Sequence, residues 1–291
     1  MTEELAAEFH EHRSLLFTVA YEMLGSAADA EDVVQESWVR WSQVEREDVR
    51  DARAYLVRIA TRQALNHLRT LGRRRERYVG PWLPEPLLTA PDVAEDVELA
   101  DSVSLAMLVV LDALSPLERA VFLLREVFGF GYDEVADATG RTPAAVRQLA
   151  HRAREHVRAR RPGAVPAKEL ERVTASFFAA AATGDVQQLM DMLAPDVVLL
   201  SDGGGKVKAA LNPIRGAAKV ARFLMGVTPT DAQATVDVLP VNGAPALVVR
   251  IDGRIDTVAT GVMVDGRITE LLVVRNPDKL SRLEEEHHLS R

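Results

Sequence analysis

Apolar residues recur at helical spacing through the first 77 residues and predict three helices there. The first covers residues 5–24, and the second begins at Ser26 and Asp29, which resemble a capping box. The third covers about residues 51–71 and turns its apolar stripe inward. This pattern predicts a small all-helical domain.

Residues 133–161 show the pattern of a helix-turn-helix. Gly140 ends a short first helix, and Thr142 followed by Pro143 starts a second. The second helix has an apolar back and a basic front, as in a recognition helix that enters the major groove. A helical hairpin with solvated arginines is the alternative, but turn and cap residues accompany the charge and favour DNA. The expected DNA contacts are Arg141, Thr142, Ala144, Arg147, Gln148, His151, Arg152 and Arg154.

The segment at residues 78–104 is predicted to be extended. Four prolines exclude a helix between Pro81 and Pro91, and an acidic run follows. Because an exposed Trp in such a segment is costly, residues 82–86 (WLPEP) are interpreted as a docking peptide. The alternative is a linker aromatic that rests on its own domain.

Beyond residue 167 the pattern changes to that of an α+β domain. Two helices are expected over residues 170–182 and 186–193, followed by strands that alternate or run apolar between Gly and Asn turns. Asp265–Gly266 is a strong hairpin signal. The expectation is helices followed by a curved antiparallel sheet, with a disordered or loosely helical tail at residues 283–291.

Charge is unevenly distributed along the chain, whose formal net charge is −8. Residues 51–80 carry 8 basic and 2 acidic side chains, and residues 119–161 carry 9 and 5. The segments 1–50 and 81–118 are strongly acidic. Two basic blocks separated by acidic ones indicate two separate DNA contacts on a molecule whose other surfaces repel phosphate or meet a basic partner.

Composition narrows the class of protein. The 291 residues are 47% hydrophobic and include no cysteine, which excludes disulfides, thiolate zinc sites and cysteine nucleophiles. No run approaches the roughly 18 apolar residues of a membrane span, and the acidic N-terminal segment does not have the pattern of a signal peptide. A cytoplasmic protein is expected.

Three segments together resemble an extracytoplasmic-function sigma factor, namely DAEDVVQESWVRW (29–41), AYLVRIATRQALNHLRTLGRRR (54–75) and the segment from LSPLERAV to HRAREHV (114–157). The first two correspond to the family's region two and the last to region four. The resemblance implies a protein that binds core RNA polymerase and directs promoter-specific transcription initiation.

The resemblance also implies roles for particular residues. The acidic helix would bind the clamp helices of the polymerase largest subunit through Asp29, Asp32, Gln35 and Glu36. The loop 42–51 and the basic helix after it would capture unstacked bases of the minus-ten element. Gln63 and Asn66 stand where many members have Asn and Asp. The implied minus-ten contacts are Arg58, Arg62, Asn66, Arg69 and Arg73.

The last 125 or so residues resemble a SnoaL-like cone, the nuclear-transport-factor-like fold, which marks the sigma-J-like subgroup of the family. The motifs WLPEP, DGGGK and NPDKL match that subgroup. The resemblance implies that the cone contacts the linker and modulates activity in cis in place of an anti-sigma protein. The implied interdomain residues are Trp82, Leu83, Pro84, Glu85, Pro86, Asp202, Gly203, Gly204, Gly205, Lys206, Asn276, Pro277, Asp278, Lys279 and Leu280.

The residues also bear on nucleotide binding and catalysis. The run 202–206 lacks the spacing of a phosphate-binding loop, and Val207 stands where a magnesium-binding Ser or Thr would be needed. None of the seven histidines lies within residues 168–280, which argues against acid-base catalysis there. We expect no cofactor, no metal and no enzymatic activity, and we consider a small-molecule ligand in the cone. The alternative function is a helix-turn-helix regulator with a sensing or enzymatic cone.

The predicted division of the chain follows from these patterns. It consists of a region-two domain (1–77), a Pro-rich and acidic linker (78–104), a region-four domain (105–161), a short linker (162–167), the C-terminal domain (168–282) and a tail (283–291).

Overall fold

The computed structural model describes residues 2–45, 49–90, 93, 96–160, 165, 167–227 and 234–291. Two of the predicted linkers therefore lie partly outside the described residues, as do residues 46–48 of the loop 42–51. The side chain of Arg73 also lies outside them.

The first half of the chain is helical, as the apolar spacing predicts. Its helices are α1 (Thr2–Leu24), α2 (Ala27–Trp41), α3 (Ala52–Arg75), α4 (Val97–Val103), α5 (Leu105–Asp112), α6 (Pro116–Phe122), a π-helical turn (Leu123–Val127), α7 (Tyr132–Thr139) and α8 (Pro143–Arg158).

In the described part of the second half, four helices accompany most of a single sheet. The helices are α9 (Ala167–Thr183), α10 (Val186–Met192), α11 (Ala217–Val227) and α12 (Pro277–Leu280). The strands among the described residues are β1 (Leu88–Thr89), β2 (Leu193–Asp202), β3 (Ile214–Arg215), β4 (Ala234–Val241), β5 (Ala244–Ile251), β6 (Arg254–Val264), β7 (Arg267–Val274) and β8 (Glu286–His287).

The predicted helix boundaries follow the local capping chemistry. Ser26 accepts a hydrogen bond from the backbone of Asp29 at the start of α2, and Ser115 forms a capping box with Glu118 at the start of α6. Gly140 ends α7 in the left-handed conformation, at φ 64°, and Thr142 caps α8. The helix-turn-helix therefore forms where its turn residues predict it.

The sheet differs from the antiparallel one that the sequence predicts. Its strand order is β3-β2-β7-β6-β5-β4-β1-β8, and β2 runs parallel to β7. The helices α9 and α10 precede β2. Because β2 is not joined to β7 by a hairpin, it can pair with β7 in the parallel direction. The hairpins β4–β5, β5–β6 and β6–β7 are antiparallel. Alternation along a strand cannot distinguish these two pairings.

The linker and the tail belong to the fold. Strand β1 of the linker pairs antiparallel with β4 and parallel with β8 of the tail. Leu83 and Leu87 are buried, and Leu289 of the tail joins the apolar core of the helical half. The expectation of a disordered or loosely helical tail is wrong, because these residues complete the sheet edge and bury an apolar side chain. Helix α4 lies within the predicted linker, so the expectation of an extended segment is wrong over Val97–Val103, where the Asp96 side chain caps the helix by accepting from the Leu99 backbone.

Candidate functional site

Helix α8 presents an exposed polar face to solvent. Its apolar side buries Val146, Ala150, Ala153 and Val157 against the rest of the helix-turn-helix. All of the predicted minus-thirty-five contacts lie on the exposed side of the helix and its cap, namely Arg141, Thr142, Ala144, Arg147, Gln148, His151, Arg152 and Arg154. The exposed face of α8 is therefore basic and accessible, as a helix that enters a DNA groove requires.

Two arginines of this face are paired with carboxylates on the supporting helices. Arg152 lies 3.2 Å from Glu118, and Arg154 lies 3.1 Å from Glu126. These pairs are largely exposed on the arginine side, so phosphate oxygens can compete for both guanidinium groups. The carboxylates orient the arginines without covering them.

Helix α3 is packed against the first helix of the helix-turn-helix. Arg62 donates to the backbone oxygen of Asp137 at 2.7 Å and to that of Ala138 at 3.4 Å, at the C-terminal turn of α7. Arg53 lies over the Phe130 ring at 4.4 Å from its centroid. The two predicted DNA surfaces are therefore not independent, because Arg62 is engaged by the region-four domain.

The other predicted minus-ten residues lie along the same helix. Arg58 stacks over Tyr55 at 4.4 Å, and exposed Asn66 accepts a hydrogen bond from Arg69 at 3.3 Å. Arg73 lies where its side chain is outside the described part of the chain. Arg62, Asn66 and Arg69 are all exposed, but only Arg62 donates hydrogen bonds to α7.

The acidic side chains of α2 line one wall of an open cleft of about 840 Å³. Asp32, Gln35 and Glu36 are exposed and Asp29 is partly exposed. Glu36 accepts a hydrogen bond from Gln63 of α3 at 2.7 Å. The predicted polymerase face and the predicted minus-ten helix thus form the two walls of one cleft.

A buried carboxylate anchors the linker to the C-terminal domain. Asp202 is fully buried and accepts hydrogen bonds from the Tyr78 hydroxyl at 2.6 Å and the Leu83 backbone at 2.9 Å. Lys279 Nζ lies 2.7 Å from the same carboxylate and also donates to the Leu83 oxygen. We call Asp202, Lys279, Tyr78, Leu83 and Trp82 the linker seat.

Aromatic rings enclose the lysine of the linker seat. Lys279 Nζ lies 4.2 Å from the centroid of Trp82 and 4.9 Å from that of Tyr78. Burial and the Asp202 carboxylate raise the pKa of Tyr78, so its hydroxyl stays protonated and donates. The linker seat therefore combines a buried ion pair with cation–π contacts.

The glycine turn after Asp202 fits closely against neighbouring segments. Gly204 has φ +60°, and a Cβ there would lie 2.4 Å from Nδ2 of Asn276. Asn276 Nδ2 donates to the Tyr78 hydroxyl at 2.7 Å. Exposed Lys206 pairs with Asp278 outside the turn. Glycine is thus required for close approach, as the sequence predicts for this turn.

WLPEP also contacts the region-two domain, through Trp82 and Glu85. A Cβ at Gly25 would lie 2.8 Å from the Trp82 ring. Buried Glu85 accepts a hydrogen bond from the Ala27 backbone at 2.9 Å, at the start of α2, and its own backbone donates to the Gly25 oxygen. Burial raises the pKa of Glu85, against hydrogen bonds that lower it. WLPEP therefore joins the region-two domain to the C-terminal domain.

Asn242 forms a contact that sequence reasoning missed. Its Nδ2 donates to the Tyr21 hydroxyl at 2.7 Å and to the Val103 oxygen at 2.8 Å, and its Oδ1 accepts from the Leu87 backbone at 2.9 Å. We call these three contacts the Asn242 bridge. The Asn-Gly dipeptide signals a hairpin turn, but nothing in the sequence says what the turn touches.

The tail packs on helix α1. The ring of His287 stacks on Phe17 at 5.1 Å between centroids, and the Ser290 backbone donates to Thr18 at 3.1 Å. Burial lowers the pKa of His287. Arg291 pairs with Asp96 at 2.9 Å. The last residues thus connect the N-terminal helix with the segment that enters the region-four domain.

Within the described residues, no helix is long and apolar enough to cross a membrane. Over the same residues, no group of three or more His, Asp or Glu side chains is arranged to hold a metal ion.

Comparisons with known proteins identify two family regions. Residues 9–74 match the family model Sigma-70 region 2, and residues 104–157 match Sigma-70, region 4. The chain is 36% identical to the ECF RNA polymerase sigma factor SigJ of Mycobacterium tuberculosis H37Rv, over 94% of this chain and 93% of the relative. It is 32% identical to a probable ECF sigma factor SigI of the same species, over 98% of this chain and 97% of the relative.

A solved structure resembles the whole chain. The crystal structure of Mycobacterium tuberculosis SigJ superposes with a TM-score of 0.76 at 34% identity, covering 95% of this chain and 98% of that one. The arrangement of two helical regions followed by an α+β domain is therefore shared with that protein.

Proposed function

The chain belongs to the extracytoplasmic-function (ECF) RNA polymerase sigma factors, and we propose that its C-terminal domain restrains the separation of its two sigma domains. As a member of that family it binds core RNA polymerase and promoter DNA and directs promoter-specific transcription initiation. The fused domain would thereby regulate this activity in place of a separate anti-sigma protein. We place this activity in the cytoplasm.

The division of the chain into functional units is part of the proposal. A region-two domain (1–77) and a region-four domain (105–161) bind polymerase and promoter DNA. Residues 168–282 regulate these two domains through the linker 78–104. The buried side chains of Leu83 and Leu87 support a linker that transmits this regulation.

We assign the polymerase contact to the acidic wall of the cleft. Asp32, Gln35 and Glu36 are exposed and lie near Asp29 on α2, which suits an ionic contact with the clamp helices of the largest subunit. Exposure and charge support this assignment.

We assign the DNA contacts to the two basic helices. On α3 these are Arg58, Arg62, Asn66, Arg69 and Arg73, and on α8 and its cap they include Arg147, Gln148 and Arg152. The basic block 51–80 carries 8 basic and 2 acidic side chains, which supports phosphate binding. Arg62 donates to two carbonyls of α7, and we propose that it exchanges these hydrogen bonds for contacts with DNA.

The Asn242 bridge is the observation that carries the proposal. One side chain of the C-terminal domain binds Tyr21 of α1, Leu87 of the linker and Val103 at the entrance to the region-four domain. Moving the sigma domains apart breaks at least one of these buried hydrogen bonds. Each buried group left unpaired costs roughly 1–3 kcal/mol, so the bridge favours the closed arrangement.

The test is run-off transcription by the full-length chain with limiting core polymerase, comparing Asn242→Gly with Asp252→Gly. Asn242 and Asp252 both have positive φ, 54° and 52°, and both are followed by glycine in a hairpin turn. The turn at Asp252 is exposed, so Asp252→Gly is a matched control for the change in backbone freedom.

We expect Asn242→Gly to initiate more transcripts than the wild type at limiting core, and Asp252→Gly to match the wild type. Circular dichroism of both variants verifies folding. Equal or lower initiation by a folded Asn242→Gly protein would overturn the proposed restraint, while the family's activity in initiation would stand.

A further inference from the structure

The C-terminal domain encloses a cavity of about 320 Å³ that the sigma function does not use. It lies between helices α9 and α11 and one face of the sheet. Most of its wall is apolar, including Phe177, Phe178 and Leu247. This volume and this lining fall within the range of sites that bind small organic molecules.

A buried hydroxyl on the cavity wall that has no hydrogen-bond partner among the described residues points to a polar group on the occupant. Ser201 lies on the cavity wall with 1% of its surface exposed, and its Oγ has no hydrogen-bond partner among the described residues. Buried polar groups in folded proteins are nearly always paired, and an unpaired one needs an explanation. A ligand hydroxyl or carbonyl in the cavity would supply the partner.

The Asp256 carboxylate on the cavity wall already has hydrogen-bond partners within the protein. Arg275 makes a two-pronged contact with Asp256 at 2.9 and 3.1 Å, and Thr257 donates to the same carboxylate. Burial opposes ionisation of Asp256, but Arg275 and Thr257 lower its pKa overall. Because Asp256 and Arg275 already pair with each other, Ser201 is the wall group to which we assign the hydrogen bond with an uncharged ligand group.

Strands β2 and β7 line the cavity with one face and lie against the linker side of the domain with the other. Side chains alternate along a strand, so Ser201 faces the cavity while Asp202 faces the linker. On the partner strand, Val273 lines the cavity and Val274 is buried in the apolar cluster on the linker side. A displacement of β2 by an occupant on one face therefore moves the anchor of the linker on the other.

We propose that this cavity binds a compact, mostly apolar ring compound through a hydroxyl or carbonyl group that pairs with Ser201, and that its occupancy changes the linker seat at Asp202. The second part of this inference rests on the proposed regulatory role of the C-terminal domain. The first part is independent of that role.

Binding is measured on the full-length chain by calorimetry with 2-naphthol and naphthalene, which share a ring system and differ in one hydroxyl. The wild type should bind 2-naphthol more tightly than naphthalene. Ser201→Ala should weaken 2-naphthol binding by at least about fivefold and leave naphthalene binding unchanged. Ser281→Ala, which changes an exposed serine outside the cavity, should match the wild type for both probes.

A variant that fills the cavity tests the binding site independently of Ser201. Ala259 lines it, and Ala259→Phe should abolish binding of both probes, with thermal unfolding used to verify that the variant is folded. Absence of saturable binding to the wild type overturns the site. Unchanged 2-naphthol affinity in folded Ser201→Ala overturns the assignment of Ser201 and leaves an apolar cavity alone.

Coupling is measured by hydrogen exchange of the Leu83 amide, whose donor bond ends on Asp202. Saturating 2-naphthol should change its exchange rate by at least about threefold in the wild type and not in Ser201→Ala at the same probe concentration. Unchanged exchange at saturation overturns the coupling. Since neither assay contains polymerase, failure here is distinguishable from failure of the transcription test.

Discussion

The side-chain amide of Asn242 lies 2.7 Å from the hydroxyl of Tyr21, which connects a hairpin turn of the C-terminal domain to the first helix of the chain. Tyr21 is fully buried and in turn donates to the Glu85 oxygen at 2.7 Å. Burial raises the pKa of Tyr21, so its hydroxyl can both accept from Asn242 and donate to the linker. Hydrogen bonds thus connect the C-terminal domain, helix α1 and the linker in series.

Removing the Asn242 side chain should destabilise the protein. Asn242→Gly keeps the left-handed turn but loses three buried hydrogen bonds, and we expect the free energy of unfolding to fall by about 2–4 kcal/mol. Urea denaturation measures this. Asp252→Gly, in an exposed turn of the same kind, should change it by less than about 1 kcal/mol. Similar losses in the two variants would contradict a specific role of the Asn242 bridge.

Neutralising the carboxylate of the linker seat should release the linker. Asp202→Asn leaves Lys279, which is 12% exposed, beside an amide in place of its carboxylate, and removing one partner of a buried pair costs roughly 3–5 kcal/mol. We expect a lower unfolding temperature and faster cleavage of the linker by a protease. Asp278→Asn removes the exposed partner of Lys206 and should cost less than about 1 kcal/mol. An unchanged unfolding temperature in Asp202→Asn would disprove the anchoring role.

Buried Glu22 should make stability depend on pH. Its carboxylate accepts from Ser102 at 2.8 Å, and its backbone oxygen accepts from Arg119 at 2.8 Å. Burial raises its pKa from 4.5 to about 8, helped by Asp101 and opposed by Ser102 and Arg119.

The sign of this dependence follows from proton binding. Between about pH 4.5 and 8 the folded state holds a proton that the unfolded state has lost, so stability falls as pH rises through this window. Glu22→Gln should remove that contribution. Denaturation curves of both proteins from pH 5 to 8.5 test it, since their difference isolates Glu22 from other titrating groups such as His287. Parallel pH profiles would contradict the prediction.

Arg147 should contribute to promoter selection and not to polymerase binding. It is exposed on α8, and its loss should weaken holoenzyme binding to a promoter by about 1–3 kcal/mol and reduce discrimination at the minus-thirty-five element. Mobility shifts with matched and altered elements measure this. Arg172→Ala, which removes the same charge at an exposed position of α9, serves as the control. Equal weakening on both elements would indicate a phosphate contact.

Asp32 should contribute to the affinity for core polymerase. It is exposed on α2, and Asp32→Lys should weaken core binding by at least about tenfold because it reverses the charge at a proposed ionic contact. Fluorescence anisotropy of labelled protein measures this affinity. Glu171→Lys makes the same charge change on the exposed face of α9 and should leave core affinity intact. Comparable losses would mean that net charge, and not position, determines affinity.

Much of the fold follows from local signals in the sequence. Gly140 and Thr142 define the helix-turn-helix through backbone conformation and capping, which are local properties. Asp265–Gly266 forms the predicted turn, with φ of 50° and 74°. The family and the fold class inferred from the motifs are confirmed by the comparisons.

The contacts between domains could not be derived in this way. Asn242–Gly243 and Asp252–Gly253 carry the same turn signal, yet only the first is buried against another domain. The engagement of Arg62 by α7 and the burial of Glu22 depend on packing between segments far apart in sequence. The parallel pairing of β2 with β7 was missed because both pairings produce the same alternation.

The order of the contacts along the chain has a consequence for synthesis on the ribosome. Both sigma regions are translated before Asn242, and the tail residues that pair with β1 and stack on Phe17 are translated later still. During synthesis the two sigma domains can therefore fold before the segments that hold them together exist. If the proposed restraint holds, a newly made chain passes through an unrestrained stage that ends when β8 pairs with β1.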